Sequence, residues 1–103
     1  MKLNLLERFL LMQLLPQKEN FATLKIIHNL KMALSFSEEE VIQCEVKSEN
    51  GMTYWNDKGL EEVEICIGNK AKDICIQALK DADKNKLLTE KHLSLYEKFI
   101  SEE

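Results

Sequence analysis

The sequence predicts a single α+β domain over residues 1–103, in which three N-terminal helices precede a three-stranded antiparallel meander and two C-terminal helices pack on the sheet. Three observations support this prediction. Residues 44–68 alternate apolar and polar side chains as strands do, whereas the flanking segments repeat apolar residues at helical spacing. Within that stretch, Asn50-Gly51 is a residue pair that favours a two-residue hairpin turn. One proline and three glycines, without a low-complexity tract, leave no predicted linker.

The first helix is predicted to begin after Asn4, because Asn4 and Glu7 have the spacing of a capping box. Pro16 ends it, since the residue before a proline is disfavoured in the helical conformation. Its apolar residues cover more of the circumference than a one-sided surface helix needs: Leu5, Leu6, Phe9, Leu10, Leu11, Met12, Leu14 and Leu15. Either other elements nearly enclose this helix, or part of it contacts a second chain.

The second helix has Asn20 as its predicted N-cap. Its inward-facing residues repeat at intervals of three and four, and they are Phe21, Leu24, Ile27, Leu30 and Leu34. Lys25, His28 and Lys31 are left on the outer side.

The third helix has the best-defined start in the chain. Ser37 and Glu40 form a capping box, and Phe36 and Val41 have the spacing of a hydrophobic staple. The helix is predicted to be short and to end near Cys44. The three glutamates at 38–40 lie where the helix dipole favours anions, so their position needs no catalytic role.

The turn at Asn50-Gly51 sets the register of the meander. It pairs Lys47 with Tyr54 and Val46 with Trp55. Val46 and Trp55 then share the face that is predicted to point into the core, while Lys47 and Tyr54 share the outer face. After a break at 57–59, a third strand is predicted, with Val63, Ile65 and Ile67 facing inward and Glu62, Glu64 and Cys66 facing outward.

The helix after Gly68-Asn69 carries a narrow apolar stripe that suits close packing on a sheet. The stripe comprises Ala71, Ile74, Cys75, Ala78, Leu79 and Ala82. Ile76 lies outside it and is a candidate contact in an oligomer. Thr89 is predicted to cap the last helix, whose inward residues are Leu93, Tyr96, Phe99 and Ile100.

The net charge of −4 is unevenly distributed along the chain. Residues 1–35 carry five basic and two acidic groups, residues 36–66 carry two basic and nine acidic groups, and residues 67–103 carry seven of each. The acidic middle segment disfavours non-specific contact with nucleic acids. Thirteen of the fourteen basic residues are lysines, which lack the planar donor pair that reads base edges. A nucleic-acid partner is therefore not expected.

The sequence contains no constellation that predicts an enzyme. His28 and His92 stand on separate helices, and no phosphate-binding loop, nucleophile elbow or metal-ligand spacing is found. The odd set of Cys44, Cys66 and Cys75 favours free thiols in a reducing compartment, so the predicted location is cytoplasmic. No cofactor, metal or catalytic residue is predicted. The apolar run at 9–15 is too short to span a bilayer, so no membrane contact is expected.

Six residues are candidates for contacting a partner or ligand. Tyr54, next to Trp55 and near Lys47 and Lys58, combines an aromatic face with ammonium groups that suit a base or a phosphate. The register assigns Trp55 to the core and leaves Tyr54 for a partner. The outward-facing Lys25, His28 and Lys31 form the second group.

The chain resembles a group of small proteins encoded by phages and prophages of AT-rich Gram-positive bacteria. The resemblance runs from LLERFLLMQLLP through FATLKII, SFSEEE and the Trp55 region to LTEKHLSLYEKF. It implies a compact accessory protein made in the cytoplasm of an infected bacterium. Such proteins include inhibitors of host defence, small regulators and assembly factors, and no activity is carried over to individual residues.

Three hypotheses of function follow from these observations. The leading one is a non-enzymatic interaction protein, expected to form a homo-oligomer, that inhibits a host defence factor by binding it. The second is an oligomer that sequesters a small ligand or nucleotide in a pocket between subunits. The third is a winged-helix-like DNA-binding regulator, which the acidic hairpin disfavours.

Overall fold

The computed structural model describes residues 1–100, which form five α-helices and four short strands. The fold is α+β and mostly helical. Two 3-10 turns, Asp57–Leu60 and Glu90–His92, complete it. In chain order the elements are β1 (Lys2–Leu3), α1 (Leu5–Leu14), α2 (Phe21–Leu34), α3 (Glu38–Gln43), β2 (Lys47–Glu49), β3 (Met52–Tyr54), β4 (Val63–Glu64), α4 (Asn69–Lys84) and α5 (Leu93–Ile100).

The predicted starts of the first three helices, after Asn4, Asn20 and Ser37, are confirmed. Asn4 Oδ1 accepts a hydrogen bond from the Glu7 N–H at 2.9 Å, and Glu7 Oε1 accepts one from the Asn4 N–H at 3.0 Å. Ser37 and Glu40 make the same reciprocal pair at the start of α3. These caps satisfy backbone donors that a helix end leaves without partners. Local sequence therefore determines where α1 and α3 begin.

Helix α1 lies at the centre of the core and packs against α2, α4 and α5. The buried cluster contains Leu3, Leu10, Leu11, Leu15, Ile27, Leu30, Leu34, Ile65, Cys75, Leu79, Leu95 and Phe99. Leu6, Met12 and Leu14 pack against it while remaining partly exposed. The broad apolar surface of α1 is thus largely used in contacts within the fold, with the other helices and with Trp55 beside Phe9.

The predicted three-stranded meander is wrong. Strands β2 and β3 pair in the predicted register, with Lys47 opposite Tyr54, but β4 pairs with the N-terminal β1 in a separate two-stranded sheet. Beyond the paired residues, the Ile65 N–H donates to the Met1 carbonyl at 2.8 Å. The 3-10 turn at Asp57–Leu60 separates the two sheets in sequence and directs the chain from the hairpin towards β1.

The predicted packing of the two C-terminal helices on a sheet is also wrong. Helix α4 packs on α1, α2 and α5, so the core is formed chiefly between helices. Ile76, predicted to lie outside the packed stripe, is partly buried against the core. Both strands of the β2–β3 hairpin are largely exposed because no helix within residues 1–100 covers their outer face.

Four residues predicted to face inward are exposed: Phe21, Leu24, Val63 and Leu93. Phe21 and Leu24 lie in the first turn of α2, whose buried residues begin only at Ile27. At the C-terminus, the 3-10 turn delays the start of α5 to Leu93 and changes the face that is buried. Leu95 and Phe99, four residues apart, are therefore the buried pair of α5.

Trp55 joins the hairpin to α1 through a small aromatic cluster. Its ring meets Phe9 and Phe36 edge to face, with centroid separations of 5.8 Å and 6.1 Å. Trp55 and Val46 are half-buried, so the predicted inward face of the hairpin is correct in direction but lies at the edge of the core. Gly59 packs so closely against the indole that a Cβ at this position would lie only 2.5 Å from Trp55 Cδ1.

Substituting Gly59→Ala is expected to destabilise the fold by about 1–3 kcal/mol, because the added methyl group overpacks the indole. Chemical denaturation followed by tryptophan fluorescence measures this, since Trp55 is the single tryptophan. Gly68→Ala is the comparison without overpacking, because a Cβ there meets nothing within 4 Å. Since Gly68 is the N-cap of α4, where alanine is disfavoured, a loss of about 1 kcal/mol or less is expected, with unchanged tryptophan emission. Equal stability and equal emission spectra for the two variants would contradict the described contact.

Candidate functional site

The outer face of the β2–β3 hairpin is the candidate functional site. We define this outer hairpin face by Lys47, Glu49, Met52 and Tyr54, which the register places on one side of the two strands. Met52 is 59% exposed and Tyr54 is 50% exposed. The Tyr54 hydroxyl lies 3.4 Å from Met52 Sδ, so the two apolar side chains form one continuous patch.

The hairpin is fixed at both of its ends. At the tip, Asn50 and Gly51 have φ values of 52° and 78°, the left-handed conformation that a tight hairpin turn requires. At the base, the Asn56 N–H donates to the Cys44 carbonyl at 2.8 Å, and Asn56 Nδ2 donates to the Gln43 carbonyl at 3.1 Å. These bonds join the hairpin to the end of α3. The outer hairpin face is therefore presented from a defined base while its own edges have no strand partner among residues 1–100.

The structure brings together two of the three candidates predicted around the hairpin. Lys47 and Tyr54 are cross-strand partners on the outer hairpin face. Lys58 lies in the following 3-10 turn, where its N–H donates to Asn56 Oδ1 at 2.9 Å, and it is not part of that face. Met52 and Glu49 are not among the contact residues predicted from the sequence. The predicted register could have identified both, because residues two apart on a strand share a face.

The second predicted group lies on the exposed side of α2. His28 and Lys31 line a surface cavity of about 210 Å³ together with Pro16, Gln17, Leu24 and Ile27. Lys25 is exposed but does not line this cavity. Within residues 1–100, none of the three basic side chains forms an ion pair.

A buried ion pair joins α1 to α3. Arg8, which is only 1% exposed, donates to both carboxylate oxygens of Glu40, with Nη1 to Oε1 at 3.1 Å and Nη2 to Oε2 in a short contact. Its guanidinium group also lies over the Phe36 ring, 5.4 Å from the centroid. The hydrogen bond from Arg8 lowers the pKa of Glu40 more strongly than burial raises it. The position of Glu40 in the first turn of α3 thus serves a structural contact that the sequence analysis did not predict.

A second buried carboxylate joins α1 to α5. Glu7 accepts hydrogen bonds from Ser94 Oγ at 3.0 Å and from Lys98 Nζ at 2.8 Å. Lys98 also donates to the Lys2 carbonyl at 2.9 Å and forms a short contact with Glu62. Burial alone would lower the pKa of Lys98, but the hydrogen bonds with Glu62 and Glu7 outweigh it and raise the pKa. Both buried charges on α1 are satisfied, so this cluster stabilises the fold.

These contacts change the interpretation of the acidic segment 36–66. Three of its nine carboxylates pair with cations elsewhere in the chain: Glu40 with Arg8, Glu62 with Lys98, and Glu64 with the terminal ammonium group of Met1. The other six form no ion pair within residues 1–100, and they are Glu38, Glu39, Glu45, Glu49, Asp57 and Glu61. The surface around the hairpin therefore remains acidic.

The cysteines and histidines form no catalytic arrangement among residues 1–100. All three thiols are free; Cys44 and Cys75 are buried and Cys66 is exposed. Burial raises the pKa of Cys75 to about 12, which keeps it a thiol at neutral pH. His92 is buried and its Nδ1 accepts from the Thr89 N–H at 3.0 Å. Across the same residues, no three His, Cys, Asp or Glu side chains are arranged to hold a metal ion, and no helix has the length and apolarity that crossing a membrane requires.

Comparison of the chain with protein-family models, with curated proteins and with solved structures finds no match. The functional interpretation therefore depends on the surface geometry of the chain itself.

Removing the charge of Glu40 with Glu40→Gln is expected to destabilise the protein by about 2–3 kcal/mol, because Arg8 remains buried without its carboxylate. Urea denaturation measures the change. Glu39→Gln is the matched control, since Glu39 is exposed and unpaired in the same helical turn, and its effect should stay within about 0.5 kcal/mol. Equal effects of the two substitutions would mean that the buried pair does not stabilise α3.

The Glu40 pair also predicts a pH dependence of stability. Because the folded-state pKa of Glu40 lies below its ordinary value of 4.5, its contribution is fully present above pH 4.5 and is lost as pH falls through the folded-state pKa. Urea denaturation of the wild type and of Glu40→Gln at several pH values below neutrality measures this. The difference in unfolding free energy between the two should shrink on acidification, and a constant difference would contradict the assignment.

Proposed function

We propose that the chain is a non-enzymatic interaction protein that inhibits a partner protein by binding it through the outer hairpin face. The most concrete version is a phage accessory protein that acts on a defence factor in the cytoplasm of its bacterial host. The observation that carries the proposal is the uncovered hairpin. Its two strands expose Met52 and Tyr54, and no other element of residues 1–100 covers them.

The energetics of a small sheet support a partner at this position. A two-stranded hairpin is marginally stable in water, and further strands or a packed helix normally stabilise it. The helices of this chain pack on one another, so the outer hairpin face receives no such support within residues 1–100. A partner that pairs with an open strand edge and covers Tyr54 would supply both the missing hydrogen bonds and the missing apolar contact.

The charge around the hairpin defines the kind of partner. Glu45, Glu49 and Asp57 belong to the six carboxylates of segment 36–66 that have no cation from the rest of the described chain. A complementary partner presents an apolar centre for Met52 and Tyr54 and lysine or arginine side chains around it. Such complementarity raises the association rate and selects the partner, while the apolar centre supplies most of the affinity.

The double substitution Met52→Ser/Tyr54→Ser is expected to weaken partner binding by about thirty-fold or more, because both apolar anchors are removed. Protein captured from a Gram-positive host lysate by the immobilised wild type is purified, and its affinity for the wild type and the variant is measured by calorimetry. Leu87→Ser is the matched control, since Leu87 is exposed and lies outside the hairpin. Hydrogen exchange of residues 47–54 should slow when the partner binds.

Two results would contradict the proposal. One is a partner that binds wild type and double variant equally while the Leu87→Ser control behaves normally. The other is a rise in thermal stability with nucleotides, or a gel shift of duplex DNA, in place of protein capture. These would favour the sequestration or the DNA-binding hypothesis, respectively.

A further inference from the structure

Helix α2 exposes an apolar and basic face that the other described residues leave uncovered. We define this α2 face by Phe21, Leu24, Lys25, His28, Lys31 and Met32. Phe21 is 81% exposed and Met32 is 65% exposed. Positions 21, 25, 28 and 32 follow at intervals of four, three and four, so their side chains lie along one side of the helix. The opposite side, with Ile27, Leu30 and Leu34, faces the core.

The ionisable side chains of the α2 face are all basic. No acidic residue occurs between Phe21 and Leu34, and Lys25 and Lys31 form no ion pair within residues 1–100. A surface that complements this face must offer an apolar centre surrounded by carboxylates. An exposed patch of this composition is typical of a protein interaction site.

Helix α3 of the same chain offers such a surface. We define the α3 face by Glu38, Glu39 and Ile42, because Ile42 follows the two glutamates by four and three residues and so lies on the same side of the helix. Ile42 is 76% exposed, and no residue of α3 is buried. Glu40, which pairs with Arg8, points to the other side, so the buried contact leaves the α3 face free.

We propose that the chain associates with a second copy of itself by packing the α2 face of one copy on the α3 face of the other. Lys25 and Lys31 then meet Glu38 and Glu39, and Met32, next to Lys31, packs against Ile42. The two faces differ, so a two-fold dimer makes this contact twice. The oligomer contacts expected from the sequence were α1 and Ile76, but both pack against the core of their own chain. The α2 and α3 faces take their place. It is independent of the partner proposal, which uses the outer hairpin face.

Charge reversal tests the contact. The variant Lys25→Glu/Lys31→Glu and the variant Glu38→Lys/Glu39→Lys should each associate at least about tenfold more weakly than wild type, because each places like charges on both faces. Mixing the two variants should restore association. The acidic α2 face of the first variant then meets the basic α3 face of the second, and the acidic α3 face of the first meets the basic α2 face of the second. Analytical ultracentrifugation at micromolar concentration and low salt measures all three samples. Lys70→Glu/Lys84→Glu is the control for charge alone and should associate as wild type does.

The apolar centre is tested without changing charge. Ile42→Ser should weaken association by about tenfold or more, and Leu87→Ser should leave it unchanged. Circular dichroism identifies any variant that fails to fold, and recovery in the mixture independently shows that both charge variants are folded. A monomeric wild type at all accessible concentrations, or self-association of either charge variant equal to wild type, would overturn the proposal. A variant that no longer self-associates can still be tested for capture of a host protein, because that capture uses the outer hairpin face.

Discussion

The fold depends on the two adjacent buried charges in the first turns of α1. Glu7 and Arg8 are each 1% exposed, and a charge in that position is costly unless a partner of opposite sign is held against it. Arg8 is satisfied by Glu40 of α3, and Glu7 is satisfied by Lys98 of α5, in contacts that span 32 and 91 residues of sequence. One helical turn therefore fixes the positions of two distant elements. Removing one partner would leave the other charge buried and unpaired, so each pair holds its element against α1.

The position of α3 in turn determines how the hairpin is presented. The end of α3 accepts hydrogen bonds from Asn56 through the carbonyls of Gln43 and Cys44, while Trp55 reaches back to Phe9 of α1. The hairpin is thus held at its base and along its inner face. Because α4 and α5 complete the helical core, none of the elements in the described part of the chain covers the outer hairpin face. The exposed patch of Met52 and Tyr54 follows from this arrangement of the helices.

The sequence predicted the features that depend on neighbouring residues. The capping boxes at Asn4 and Ser37 and the register at Asn50-Gly51 involve contacts within a few positions, so residue type and spacing determine them. It did not predict the pairing of β4 with β1, because a two-residue strand at Lys2–Leu3 is too short to show alternation. The local pattern identifies Glu40 as the capping-box partner of Ser37, but it does not show that Glu40 also pairs with the distant Arg8. For the candidate site, the hairpin register correctly paired Lys47 with Tyr54. The exposure of the outer hairpin face could not be predicted, because it depends on how the distant helices pack.

The two proposed surfaces also have a combined consequence for binding. The outer hairpin face lies on β2 and β3, and the self-association faces lie on α2 and α3, so no residue is shared between them. A dimer formed through the α2 and α3 faces therefore presents two hairpins at a fixed separation. Against a target that is itself oligomeric, the second hairpin binds in an effectively intramolecular step, which can raise the overall affinity by about 10²- to 10⁴-fold without a new contact. An individually small hairpin patch would then suffice for tight inhibition, because dimerisation compensates for the limited area of each contact.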